Sequence, residues 1–294
     1  MLDAYRLGAS LYVPAIHDKV EATLSGFVLP GVRSLIACTE DSIVEGDVDR
    51  ALRKLADCLP RLPVRDVGPL RFVRPRNAEV LGEMLKMPAI DRLHGFVLPK
   101  IDADTLPAYE QQLKVHDFWL MPTLETSAVF DPLALRELRE RLLMPSLKRH
   151  ILALRIGGND LLRMLGLKRM RGVSIYQTPV GALIPQLVLA FRPFGFLLTA
   201  PVFDLIDDEA TLAAEVAQDV LMGLIGKSAI HPSQVQIIER GLAVSEQEIE
   251  AARQILAPRC EAVFKHHGAM MERSVHTPWA EAVLARASNR PPLQ

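Results

Sequence analysis

The sequence predicts an α/β protein built as a (β/α)8 TIM barrel over residues 1–240, followed by a C-terminal helical extension over 241–294. Three observations predict it. Eight short apolar, β-rich runs recur along the chain, each followed by a longer segment with helical spacing. The runs are almost continuously apolar rather than alternating, the pattern of strands buried on both faces of a parallel sheet. No glycine-rich turn follows the first run, where "YVPAIHD" stands, so the rival doubly wound sheet lacks its usual first turn.

The strand candidates are, in order, "SLYVP" (10–14), "VRSLIAC" (32–38), "LRFVR" (70–74), "GFVLP" (95–99), "FWLMPTL" (118–124), "ILALRIG" (151–157), "GFLLTAPV" (195–202) and "LIGKSAI" (224–230). The segments between them carry helical stripes. Val48, Leu52, Leu55 and Leu59 fall on one face, and Leu212, Val216, Val220 and Leu224 recur after an acidic first turn. Past the eighth run, Ser245 and Glu248 are spaced as a capping box. Thr277 is placed to cap a last helix with Pro278 at its first position, and "SNRPPLQ" reads as a frayed end.

The bulk numbers exclude several classes. Of the 294 residues, 49% are hydrophobic and 23% charged, which gives ample core. A net charge of −1 predicts neither a nucleic-acid nor a membrane partner. "FGFLLTAPVF" is too short to span a bilayer, and "MLDAYRLGAS" has no long apolar stretch, so no signal peptide is expected. Three scattered cysteines suit a reducing cytoplasm, the expected location.

Barrel active sites form where the βα loops converge, so the residues after each apolar run matter most. Glu40 and Asp41 follow the second run, Arg74 and Arg76 the third, Lys100 the fourth, Glu125 the fifth and Asp160 the sixth; the eighth delivers Lys227 and His231. Glu125 and Asp160 are 35 positions apart, one βα repeat, which puts two carboxylates on adjacent strands. Such a pair repels unless a proton or cation joins it, and oxygen-only ligands suit Mg2+. Without an H-E-x-x-H or a Cys/His quartet, zinc is not expected.

Taken singly, each residue also has a structural reading. Asp160 fits a helix cap, Glu125 a first-turn acid, and Glu40–Asp41 a turn or cap pair. Arg74 and Arg76 fit solvated charges beside Pro75, Lys100 a surface lysine, and His231 a buried hydrogen-bonded histidine. "HH" at 266–267 has no ligand partner at useful spacing and reads as surface. Lys168, Arg169 and Arg171 read as a solvated basic face.

The ordered blocks "LYVPA", "CTEDSIVEGDVDRA", "VRPRN", "GFVLPKI", "PTLETSAV", "GGNDLLRMLG" and "GKSAIHPSQVQII", with the tail "GAMMERSVHTPWAEAVLARA", resemble the citrate lyase β-subunit and HpcH/HpaI aldolase superfamily from about residue 10 to 285. "GGNDL" and "GKSAIHPSQV" are the most specific. The resemblance implies a Mg2+-dependent TIM-barrel enzyme that makes or breaks carbon–carbon bonds in acyl-CoA thioesters or 2-oxo acids, as a homo-oligomer, trimer or hexamer. By motif, Glu125 and Asp160 correspond to metal ligands, and Arg74 to the arginine that holds the oxo-acid carboxylate. Glu40 and Asp41 correspond to its acidic support; Arg76, Lys100, Thr126 and Ser127 are expected at the substrate.

This chain also departs from the pattern. Cys38 stands where the family carries an acid, Val129 where it carries a glycine that leaves room for substrate, and Asn159 where it carries another acid. Pro75–Arg76–Asn77 replaces the usual continuation after the arginine. The expectation is a C–C lyase or aldolase with an altered pocket. A condensing enzyme or thioesterase on a 3-hydroxyacyl thioester, or a non-catalytic subunit of a larger complex, are the alternatives.

Overall fold

The computed structural model describes residues 2–29 and 31–289. Eight parallel strands form one sheet: β1 (Ala9–Pro14), β2 (Ser34–Cys38), β3 (Leu70–Arg74), β4 (Gly95–Leu98), β5 (Trp119–Leu124), β6 (Leu154–Ile156), β7 (Leu198–Thr199) and β8 (Lys227–Ala229). Their order is β7-β6-β5-β4-β3-β2-β1-β8, and a bridge between Ala200 and Lys227 closes the ring. Every one of the eight predicted runs contains a strand, and the fold is the expected TIM barrel.

The helices are α1 (Val20–Leu24), α2 (Val48–Cys58), α3 (Ala78–Met84), α4 (Leu106–Leu113), α5 (Pro132–Leu142), α6 (Pro145–Lys148), α7 (Gly158–Met164), α8 (Pro179–Phe191), α9 (Glu209–Leu221), α10 (Pro232–Gly241), α11 (Glu246–Leu256) and α12 (Arg273–Ser288). Alternation along each strand divides the apolar residues between two cores. Leu11, Val13, Leu35, Phe96, Leu98 and Leu154 pack outward against the helices. Ile36, Phe72, Val97 and Met121 fill the barrel, joined by Ala4, Tyr5 and Leu7 from the segment before β1. Burying each such side chain stabilises the fold by roughly 1.5–3 kcal/mol. Gly95 is forced by this packing, because a Cβ there would overlap the Trp119 carbonyl on β5.

The extension differs from the all-helical expectation. Between α11 and α12 lies an antiparallel hairpin, β9 (Val263–His266) and β10 (Ala269–Glu272). Its turn is His267–Gly268, both with positive φ (45° and 85°), and a two-residue turn of that shape suits right-twisted strands. The last helix begins at Arg273, with Pro278 inside it; Thr277 donates its hydroxyl to the Arg273 carbonyl rather than capping. α11 and α12 share a small core of Ala252, Ile255, Ala280 and Val283. α12 docks at the N-terminal end of the barrel, where Arg286 donates to the Leu242 carbonyl and Asn289 to Asp3. Of "SNRPPLQ", Arg290 to Gln294 lie outside the described residues.

Three polar residues sit elsewhere than expected, and two histidines have an unforeseen neighbour. Lys227 is not at the rim: it points outward, fully buried, and donates to Glu215 Oε1 and Asp219 Oδ2 of α9, each at 2.9 Å. Arg169 is likewise buried, gripping Glu215 at 2.6 and 3.1 Å, so the basic stretch is not a solvated face at that position. Burial alone would raise Glu215, yet Lys227 and Arg169 hold it down at about 2. His231 is exposed and caps α10 through Ser233 N rather than lying buried. The His266 and His267 side chains have Glu250 within 4.8 Å, a neighbour their spacing did not disclose.

Removing one partner of a buried ion pair strands the others. Lys227→Met should therefore destabilise the chain by about 3–5 kcal/mol in denaturant unfolding, and Lys227→Met with Asp219→Asn by less. Equal stability of the single variant and the parent would show that the cluster contributes nothing.

Candidate active site

The loop ends of the strands surround a cavity of about 420 Å3 lined by Tyr12, Asp41, Arg74, Glu125, Gly157 and Asp160 among others. Arg74 is the last residue of β3, in register with Cys38 at the end of β2. Thr39 ties the two ends together, its N–H and hydroxyl both donating to the Arg74 carbonyl at 3.0 Å. That turn delivers Glu40 and Asp41 beside the guanidinium, with Arg74 Nη2 3.0 Å from Glu40 Oε2 and 3.4 Å from Asp41 Oδ2. Cys38 stands where an acid was expected and serves as a weak acceptor, taking Arg74 Nε–H at 3.2 Å. The guanidinium lies over the Tyr12 ring, 5.2 Å from its centre. Burial opposes its charge, but Cys38, Tyr12, Glu40 and Glu125 outweigh that and keep Arg74 firmly protonated.

Lys100 is not a free surface lysine. Its ammonium contacts Glu40 and lies 3.3 Å from Asp41 Oδ1. Its backbone holds φ at 53°, a left-handed conformation that costs a non-glycine residue roughly 1–2 kcal/mol. That strain aims the Lys100 N–H at Glu125 Oε1, 2.9 Å away. Burial lifts Glu40 above the ordinary carboxylate range, whereas Glu40, Arg74 and Lys100 together hold the half-exposed Asp41 below it despite desolvation.

Glu125 follows β5 and is only 4% exposed, so it is no solvated first-turn acid. Burial first, then the charges of Asp160 and Glu40, push its pKa up to about 7, against the pull of Arg74 and the Lys100 N–H. Gly157 leaves the space this carboxylate occupies, since a Cβ there would fall on it. Gly158 has another reason: a Cβ would come within 2.6 Å of Pro201. Asp160 is the third residue of α7 and makes no capping bond; Gly157 is the cap position. Its Oδ1 accepts from Arg163 at 2.7 Å. Glu125 Oε2 and Asp160 Oδ2 take no hydrogen bond among the described residues, which leaves an all-oxygen donor pair suited to a hard divalent cation.

Arg76, Thr126, Ser127 and Val129 stand apart from the cavity wall. Arg76 spends its guanidinium on the carbonyls of Glu40 (3.2 Å) and Ile43 (3.5 Å), bracing the loop. The Thr126 hydroxyl accepts from Ala128 N, and Ser127 is exposed beside it. Val129 is buried in the core between strands and helices, so it does not narrow the pocket as expected. Asn159 does line it. Sequence reasoning missed Tyr12, Thr123, Arg155 and Ser228, all in the wall. Their signal was parity: Arg155 and Gly157, like Thr123 and Glu125, are two apart and share the inward face.

The chain matches the family of C-C bond lyases of the TIM-barrel fold over residues 1–289. A (3S)-malyl-CoA thioesterase of Cereibacter sphaeroides is 34% identical over 113 residues, 38% of this chain and 38% of that protein. An L-malyl-CoA/beta-methylmalyl-CoA lyase of the same species is 36% identical over 84 residues, 28% and 26% of the two chains. The matched part thus spans well under half the length of these relatives. The solved structure of CitE from Mycobacterium tuberculosis, in complex with magnesium, acetoacetate and coenzyme A, superposes with a TM-score of 0.69 at 20% identity, covering 96% of this chain and 99% of that one. At that identity the likeness speaks for the barrel, and the family match for descent: the chain belongs to the C-C bond lyase family of TIM-barrel proteins.

Proposed function

We propose that this chain is a Mg2+-dependent carbon–carbon lyase or aldolase acting on a 2-oxo acid or an acyl-CoA thioester. The observation that carries it is the pair Glu125 and Asp160, each with one uncommitted oxygen at the same cavity as the Arg74 guanidinium. The magnesium, acetoacetate and coenzyme A of the CitE complex support the reading. Glu125 and Asp160 would hold the ion; when bound, it would draw charge from a carbonyl and stabilise an enolate. Arg74 offers the planar fork that grips a carboxylate. Glu40 and Asp41 fix that fork, and Arg76 and Lys100 fix Glu40 and Asp41, so the guanidinium need not reorganise as charge develops. Hydrolysis of a 3-hydroxyacyl thioester is the second reading, favoured by the thioesterase relative. Product analysis separates them, since cleavage yields an oxo acid or acyl fragment and hydrolysis yields free CoA.

The division into a barrel (1–240) and an extension (241–294), a homo-oligomeric state and a cytoplasmic location belong to the same proposal. Exposed Val263, Met270 and Val275 on the extension support self-association. No helix among the described residues is long and apolar enough to cross a membrane.

Chelation with EDTA and Asp160→Asn should each lower turnover about 100-fold or more; activity indifferent to both would sink the metal role. Gly157→Ala, which displaces Glu125, should weaken Mg2+ binding about tenfold in calorimetry.

The pH dependence follows from Glu125, whose pKa near 7 lies above its unfolded value. Mg2+ needs the carboxylate, so its apparent affinity should fall about tenfold per pH unit below 7 and level off above. The metal-free chain should behave oppositely. Its raised folded pKa gives a stability present at low pH and lost as pH rises through about 7, and Glu125→Gln should remove that loss. Thermal melts at pH 5 to 9 measure the second effect.

A further inference from the structure

One charge in the cavity has no counterpart. Arg155, in the middle of β6, is 2% exposed and lines the cavity wall. Its guanidinium donates to Ser228 Oγ at 2.7 Å, weakly to Ser10 Oγ at 3.4 Å and towards Met121 Sδ at 3.7 Å. All three partners are neutral, and no carboxylate among the described residues is in ion-pair contact with it. Arg74, by contrast, already faces Glu40 and Asp41. A buried cation held only by neutral acceptors is costly to maintain. The hydroxyls around it point the same way. Thr123 on β5, in the cavity wall, and Thr199 on β7, behind it, are the register partners of Arg155 on either side, and both have buried Oγ1 atoms with no hydrogen-bond partner among the described residues. Orphaned buried hydroxyls beside an unpaired guanidinium are the furnishings of an anion site.

We infer that Arg155, Thr123 and Thr199 form a second anion subsite on the barrel floor, which selects substrates with a carboxylate at the end remote from the reacting oxo acid. This rests on the reading of Arg74, Glu125 and Asp160 as the oxo-acid site. Arg155 and Thr123 each lie two residues below Gly157 and Glu125 on the same inward face, about 6.6 Å deeper by strand rise. An extended four- or five-carbon acid covers that distance. The Tyr12 ring lies close to both, 5.2 Å from the Arg74 guanidinium and 5.5 Å from that of Arg155, so the two cations share one aromatic neighbour. A monocarboxylic oxo acid fills only the upper storey and leaves Arg155 uncompensated.

Calorimetry with Mg2+ present, comparing 2-oxoglutarate with 2-oxopentanoate, tests this, because the two differ only in the remote carboxylate. The full-length chain should bind 2-oxoglutarate at least tenfold tighter. Arg155→Met should erase that preference, leave 2-oxopentanoate within twofold, and not lower the melting temperature of the ligand-free chain. Equal binding of the two acids by the parent, or a preference that survives Arg155→Met, overturns the subsite. Should Arg155→Met fail to fold, the near-isosteric Thr123→Val decides: selective weakening of 2-oxoglutarate supports the subsite, and no change in either acid overturns it. A tenfold preference for 3-phosphonopyruvate over oxaloacetate would overturn the choice of carboxylate. Chelator separates this inference from the reading beneath it. An Arg155-dependent preference that persists while neither acid responds to Mg2+ keeps the subsite and fells the metal reading. Mg2+-dependent binding without any preference does the reverse.

Discussion

A carboxyl group that must be ionised to work, yet lies almost wholly out of water, governs the mouth of this barrel. Glu125 is raised to about 7 by burial, and its surroundings are arranged around that penalty. Gly157 gives up its side chain for it, and Lys100 accepts a left-handed backbone to offer it one N–H. Arg74 contributes field without direct contact. None of these features stabilises the fold on its own, and two of them weaken it, a pattern typical of strain held at a site by a rigid frame.

The frame is held by charged groups paired away from the mouth. Behind the barrel, Lys227 and Arg169 neutralise Glu215, and the half-buried Tyr176 donates to Asp219 at 2.8 Å, closing the cluster. At the N-terminal end, α12 and the segment before β1 lock the bottom. These contacts are remote from the mouth, so rim residues such as Cys38 and Asn159 depart from the family pattern without disturbing the scaffold. Val129 shows the complementary case, a departure that lies in the core and leaves the cavity unaltered.

The fold and the upper site were legible in the sequence for the same reason. Parallel strands buried on both faces announce themselves by unbroken apolar runs, and the residue after each run is bound to stand at the mouth. The same unbroken runs hide parity, which is why Arg155 went unread inside "ILALRIG" and Lys227 was placed at the rim when it faces α9. An alternating strand would have betrayed both. The hairpin was missed because none of its strand residues is fully buried: β9 alternates exposed and half-buried residues but β10 does not, and only the His–Gly pair carried the turn. Pro278 misled because the hairpin fixes the start of α12 at Arg273, which leaves the proline sixth in the helix, where it forgoes one backbone bond instead of opening the first turn.

Proton transfer narrows in the same way. α12 docks at the end of the barrel away from the carboxylates, so within one chain no residue of that helix reaches the cavity. The donor must then come from the rim. Glu40 is raised and bonded on both sides, by Arg74 and Lys100, and is 3% exposed, so it has little freedom to exchange a proton with substrate. Asp41 lines the cavity and is half exposed, but the same cations hold it below the ordinary range and make it a weak base. A group with pKa near 7 suits proton transfer at neutral pH, and Glu125 has that value only while no cation sits beside it. Metal binding and acid–base service are therefore competing uses of one carboxyl.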